Sequence, residues 1–168
     1  MRKRGSAVYH TITGRAIDLG RLSRDERSFI AHVMGFYRNS LEWSRFASLW
    51  TREFDKRELE PKGMAWRICQ DLEARLGIGQ GKVAPPDYRD YLAGLIEEKY
   101  GSRYRFCKET GVDPAHLSRV FASRSDLSLE ALGKMLQVLG ARLVVEPEEA
   151  LRAHTSPEEA SRDLAGVA

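Results

Sequence analysis

At 168 residues, 42% of them apolar, the chain is long enough for one domain or two small ones with a packed core. No apolar run approaches the roughly 20 residues that cross a bilayer, and the basic start Met1-Arg2-Lys3-Arg4 leads into no apolar stretch, so neither a membrane span nor a secretory leader is expected. The formal charge of +3 is modest, and its distribution along the chain says more than its size.

Residues 1–20 read as an arm or short hairpin. Val8, His10 and Ile12 alternate with Tyr9, Thr11 and Thr13, Gly14 interrupts, and Ala16 to Leu19 suits a second strand. Residues 21–77 read as three helices, for dimerisation or partner binding. The first opens on a capping box, Ser23-Arg24-Asp25-Glu26, and carries Phe29, Ile30, Val33, Phe36 and Tyr37 on one face. The second runs from about Leu41 to Glu58 with Trp43, Phe46, Trp50 and Phe54 in a stripe, which reads as core before it reads as a ligand pocket. The third follows Pro61 with Met64, Ile68, Leu72 and Leu76 four apart. Residues 78–86, rich in Gly and Pro, read as a linker. A fourth helix, Asp87 to Tyr100, presents Tyr91, Leu92, Leu95 and Ile96.

The stretch Arg103 to Arg142 is the most locally determined part of the chain. Phe106 and Cys107 face inward on a short helix, and Gly111 stands where that helix must stop and turn, a position that favours φ > 0. Asp113 caps the next helix and Pro114 occupies its first position, where a missing N–H costs nothing. Leu117, Val120 and Phe121 form its inner face. Ser128 caps a longer helix with Leu129, Leu132, Met135, Leu136 and Leu139 in a stripe, ended by Gly140. Gly101 to Ser125 carries five cations against two anions, whereas Pro147 to Ala168 carries two against five. A basic face on one short helical pair is what phosphate binding needs.

From Tyr91 to Val145 the chain resembles the lambda-repressor/Cro-like family of helix-turn-helix domains, the XRE family. Cys107, Gly111-Val112, Leu117-Ser118-Arg119 and the Leu129 to Leu139 helix carry the resemblance, over about a third of the chain. It implies a mostly α fold, with an N-terminal helical region followed by a helix-turn-helix domain over residues 87–146. It also implies sequence-specific binding of duplex DNA by a regulator, a repressor acting as a homodimer. Base contacts would fall on Pro114, Ala115 and Arg119, with His116 and Arg119 carrying most readout, because Pro114 and Ala115 replace longer polar side chains. Phosphate contacts would fall on Ser102, Arg103, Arg105, Ser118, Ser123, Arg124 and Ser125. A protein of this kind is cytoplasmic, and nucleoid-associated when bound.

A second reading stays open, an antitoxin-like or adaptor protein whose N-terminal helices bind a protein partner and whose DNA binding is autoregulatory. Its mark would be an exposed apolar face on those helices. The segment Ala141 to Glu146 is expected to form a short β element, paired with a second copy or with Val8 to Ile12 of the same chain. Met1 to Arg4 reads as a minor-groove arm or a disordered tail, and residues 147–168 as an acidic, flexible tail.

No cofactor, metal site or enzymatic set is expected. His10, His32, His116 and His154 are dispersed, and Cys69 and Cys107 sit among apolar neighbours as buried thiols, which suits a reducing compartment. The run Gly77-x-Gly79-x-Gly81-Lys82 lacks the spacing of a phosphate-binding loop.

Overall fold

The computed structural model describes residues 8–39, 41–145 and 157–166. The chain forms two compact units, one built from Met1–Pro85 together with Glu148–Ala168, the other from Pro86–Pro147. The second unit is therefore an insertion, and the chain returns to the first unit after it.

In the first unit, strands β1 (Val8–His10) and β2 (Ala16–Asp18) pair antiparallel with Tyr9 opposite Ile17. The period of two sends both of these inward, where they are buried. Helix α1 (Arg24–Arg38) starts on the expected capping box: Ser23 Oγ accepts from the Glu26 amide at 3.2 Å, and Glu26 Oε2 accepts from the Ser23 amide at 2.8 Å. Helices α2 (Trp43–Lys56) and α3 (Met64–Gly79) pack on it. Phe46, Trp50 and Phe54, at i, i+4 and i+8, are all buried and so are core, whereas Trp43, the first member of the expected stripe, is half-buried. Its rings meet edge to face, Phe29–Phe54 at 5.5 Å and Tyr37–Phe46 at 5.7 Å, the arrangement that aligns positive ring edges with negative faces.

One polar network lies inside this core. The Asp71 carboxylate accepts from the Tyr9 hydroxyl, from the Ile12 amide at 2.6 Å and from Arg75 Nε at 2.8 Å. Arg75, 1% exposed, also donates to the His10 carbonyl at 2.8 Å. Together they fasten the hairpin to α3. Burial, and then the neighbouring Asp71 charge, push the Tyr9 hydroxyl well above its ordinary pKa. Burial also raises that of Tyr37, whose hydroxyl has no hydrogen-bond partner among the described residues.

Three expectations are corrected. Residues 157–166, read from sequence as flexible tail, form helix α8 (Pro157–Asp163) and a 3-10 turn that pack against α3 and β1. Ala160 and Leu164 are buried there, and Asp163 Oδ2 accepts from the His10 amide at 3.1 Å. Their small apolar surface becomes meaningful only once a hairpin and a helix from distant parts of the chain stand ready to cover it. Next, Ile78 and Gly79, assigned to the linker, continue α3. Gly77 is buried, and a Cβ on it would stand 2.6 Å from Val83 Cγ2 and 3.0 Å from Trp43 Cδ1. That glycine serves close packing and not chain flexibility; the Lys82 and Val83 amides both return to its carbonyl, at 2.8 and 3.2 Å. Lastly, residues 141–145 hold no strand. A ladder needs a partner, and within this chain β1 pairs with β2, so of the two expected pairings the one with Val8 to Ile12 of the same chain is the one that falls. Glu146 and the arm Met1 to Arg4 lie outside the described residues.

Among the described residues, the second unit is four helices. Helix α4 (Tyr88–Tyr100), capped by Asp87 and Asp90, packs on α5 (Arg103–Thr110), α6 (Pro114–Phe121) and α7 (Leu129–Leu139). Leu92, Ile96, Phe106, Cys107, Leu117, Met135 and Leu139 make its core. Leu129 leaves the expected stripe. It is 77% exposed, at the first position of α7 and one residue past the Ser128 cap. No helix among the described residues is long and apolar enough to cross a membrane.

Candidate nucleic-acid interface

Two eight-residue helices and the turn between them build the candidate site. At Gly111 the backbone is left-handed, with φ +76°, and its amide closes α5 onto the Cys107 carbonyl at 2.9 Å. Such a φ is easily held by glycine and strained in most other residues. Two residues later the Asp113 carboxylate accepts from the Ala115 amide at 2.9 Å and the His116 amide at 3.2 Å, satisfying two of the amides that a helix start leaves unbonded. The turn thus takes its shape from Gly111 and Asp113, two residues apart. Buried Cys107 and Leu117 then fix α6 against α5.

The exposed positions of α6 and its cap are Pro114, Ala115, Ser118, Arg119 and Ala122. At roughly 100° per residue, Ala115, Ser118, Arg119 and Ala122 share one arc of about 100°, while Pro114 stands to one side of it. Leu117 and Val120 point the other way and are buried. Three of the four residues on the outer arc are small. The fourth, Arg119, has a side chain with no ion pair or hydrogen bond to another described residue. His116, expected to share the readout, is half-buried at the edge of this face. Ser118, expected on phosphate, instead stands at one edge of the arc, with Arg119 at the other and the two alanines between them.

The structure gives the residues expected on phosphate different local duties. Ser102 is the cap of α5, its hydroxyl accepting from the Arg105 amide at 3.2 Å. Arg105 pairs along its own helix with Glu109 at 3.6 Å, an exposed contact of little energetic weight. The Arg103 guanidinium lies over the Phe121 ring, 4.2 Å from its centroid, so the first residue of α5 is held at the last turn of α6. Ser123 adopts φ +56° just past α6, and the Arg124 amide bonds back to the Arg119 carbonyl at 2.9 Å. Arg124 is exposed and Ser125 half-buried.

Sequence reading overlooks four participants. Tyr104 is 72% exposed beside Arg103; its angle on α5, about 200° from the inward Phe106, was the available signal. Ala122 belongs to the outer arc of α6, one residue beyond the helix proper. Phe121 is the platform for Arg103. Arg89 braces the far end of α6: Nε donates to the Val120 carbonyl at 3.0 Å, and the guanidinium pairs with both Asp87 and Asp126. No local pattern marks that last contact, which spans 31 residues. Although desolvation opposes it, hydrogen bonds from Arg89 keep the Asp87 carboxyl below the usual carboxylate range.

Cys69 and Cys107 are free and buried, in separate units, and burial raises both thiols above their ordinary pKa. Comparison with protein-family models, with curated proteins and with solved structures yields no match.

Proposed function

We propose that the protein is a transcriptional regulator that binds double-stranded DNA sequence-specifically through α6, acting as a homodimeric repressor in the cytoplasm. The observation that carries this reading is the outer arc of α6. A single uncommitted arginine stands among Ala115, Ser118 and Ala122, on a helix held by a left-handed turn and buried contacts. A helix so faced fits the major groove, about 12 Å wide, and places a guanidinium where it can donate to guanine O6 and N7. The resemblance to lambda-repressor/Cro-like domains falls on this same stretch. Arg103, Arg124 and the start of α5 are suited to phosphates, which fix orientation without reading sequence.

The dimer rests on two supports. An eight-residue helix reads only a few base pairs, and two copies about 34 Å apart would read a palindrome. The second unit also exposes Val138, Leu143, Val144 and Val145, apolar side chains suited to covering by a second copy. The antitoxin-like or adaptor reading asks for such a surface on the N-terminal helices. Among the described residues, every strongly exposed large apolar side chain belongs to Pro86–Pro147, so this observation favours the DNA-binding regulator.

Selection of bound duplexes from a random DNA pool tests the proposal. An enriched motif is expected, with affinity falling on added salt by a slope of about −0.9 per phosphate contacted. Absence of enrichment, together with a flat salt dependence, would refute it.

A further inference from the structure

Resting on the proposed DNA reading, we infer that α6 reads thymine methyl groups through Ala115 and Ala122, with a guanine read by Arg119 between them. Neither alanine can hydrogen-bond a base edge. Each presents one methyl on the arc that carries Arg119, and both are exposed. The group that projects from a base pair into the major groove and is apolar is the thymine C5 methyl. With Ser118 also small, no long side chain other than Arg119 holds the helix off the groove floor, so methyl can meet methyl.

The spacing sets the register. Seven residues separate Ala115 from Ala122, about 10 Å along the helix axis, or roughly three base-pair steps of 3.4 Å. Arg119 lies four residues from one and three from the other, so its guanine falls inside that span. The inferred half-site is a guanine bracketed by two thymines, on either strand, within about four base pairs. His116 and Pro114, off the arc, contribute little to base choice.

The test uses the full-length protein and the duplex recovered by selection. Each thymine is replaced in turn by deoxyuridine, which removes only the C5 methyl and leaves the protein untouched. Two positions in each half-site should lose affinity, by about fourfold each if one methyl is withdrawn from burial. In Ala122→Gly, deoxyuridine at one of these positions should no longer matter, while the other retains its effect. Ala115→Gly should silence the other position, and Ala115→Ser provides a check in which helix propensity is less disturbed. If Arg119-dependent discrimination is present but no deoxyuridine changes affinity, the inference is overturned and the DNA reading survives. If deoxyuridine matters equally in wild type and in both glycine variants, the methyls are read elsewhere and the assignment to Ala115 and Ala122 is wrong. If no duplex is enriched, the DNA reading itself fails and the inference falls with it.

Discussion

Replacing Arg119 with alanine should remove base discrimination and leave the fold intact, whereas replacing Arg103 should weaken all DNA binding and loosen the fold slightly. The difference follows from what each side chain touches. Arg119 is exposed and makes no hydrogen bond or ion pair with another described residue, so its loss belongs with surface substitutions, within about 0.5 kcal/mol of wild-type stability. Its loss on DNA is that of a bidentate guanine contact, about 1–3 kcal/mol of discrimination, or about 5- to 150-fold. Arg103 rests on the Phe121 ring at 4.2 Å, so its removal should cost about 0.5–1 kcal/mol of stability. A phosphate contact carries little sequence information, so the ratio of specific to random affinity should stay constant in Arg103→Ala. Competition anisotropy with a selected and a scrambled duplex, at one fixed salt concentration, measures both ratios. Thermal melts of the two variants measure the stability terms. Equal loss of specific and random binding in Arg119→Ala would show that this arginine does not read a base and would remove the main support for α6 as the reading helix.

In Asp71→Ala the buried Arg75 would lose its anionic partner, which costs about 3–5 kcal/mol. All three tryptophans, Trp43, Trp50 and Trp66, lie in the first unit, so their fluorescence follows that unit alone; its urea midpoint should drop by about 2 M, for a slope of about 2 kcal/mol per molar. A shift too small to resolve would mean that the pair does not clamp the hairpin to α3. Val144→Asp should shift the sedimentation profile from dimer towards monomer and leave the tryptophan-reported melt unchanged; an unaltered dimer would move the subunit interface away from this segment. The folded-state pKa values of Tyr9 and Tyr37 lie above their unfolded ones, so the first unit should keep its stability below about pH 10 and lose it as pH rises beyond. Tyr37→Phe removes one of these groups without breaking a hydrogen bond among the described residues, so its urea midpoint should fall less steeply between about pH 9 and pH 11 than that of wild type. Parallel slopes would show that Tyr37 does not contribute.

What was legible in the sequence is what acts within a turn or two of chain. The Ser23–Glu26 box, Gly111, the Asp113–Pro114 start and the Ser128 cap each involve neighbours a few residues apart, and each appears where the pattern puts it. Period and spacing likewise identified most of the inward faces of α1, α2, α5 and α6, and with them the outward placing of Arg119. Tertiary structure alone decided three further matters. The glycines from Gly77 on suggested that the helix ends there, but lack of a side chain is equally what close packing demands, and only the arrival of Val83 and Trp43 at Gly77 distinguishes the two. Leu129 and His116 stand at the margins of their apolar faces, where a few degrees of helix rotation against neighbours decide burial. The last helix illustrates the point most fully. Ala160 and Leu164 carry too little apolar surface to show a pattern, and they are buried because α3 and β1, supplied by parts of the chain about 80 and 150 residues earlier, meet to cover them.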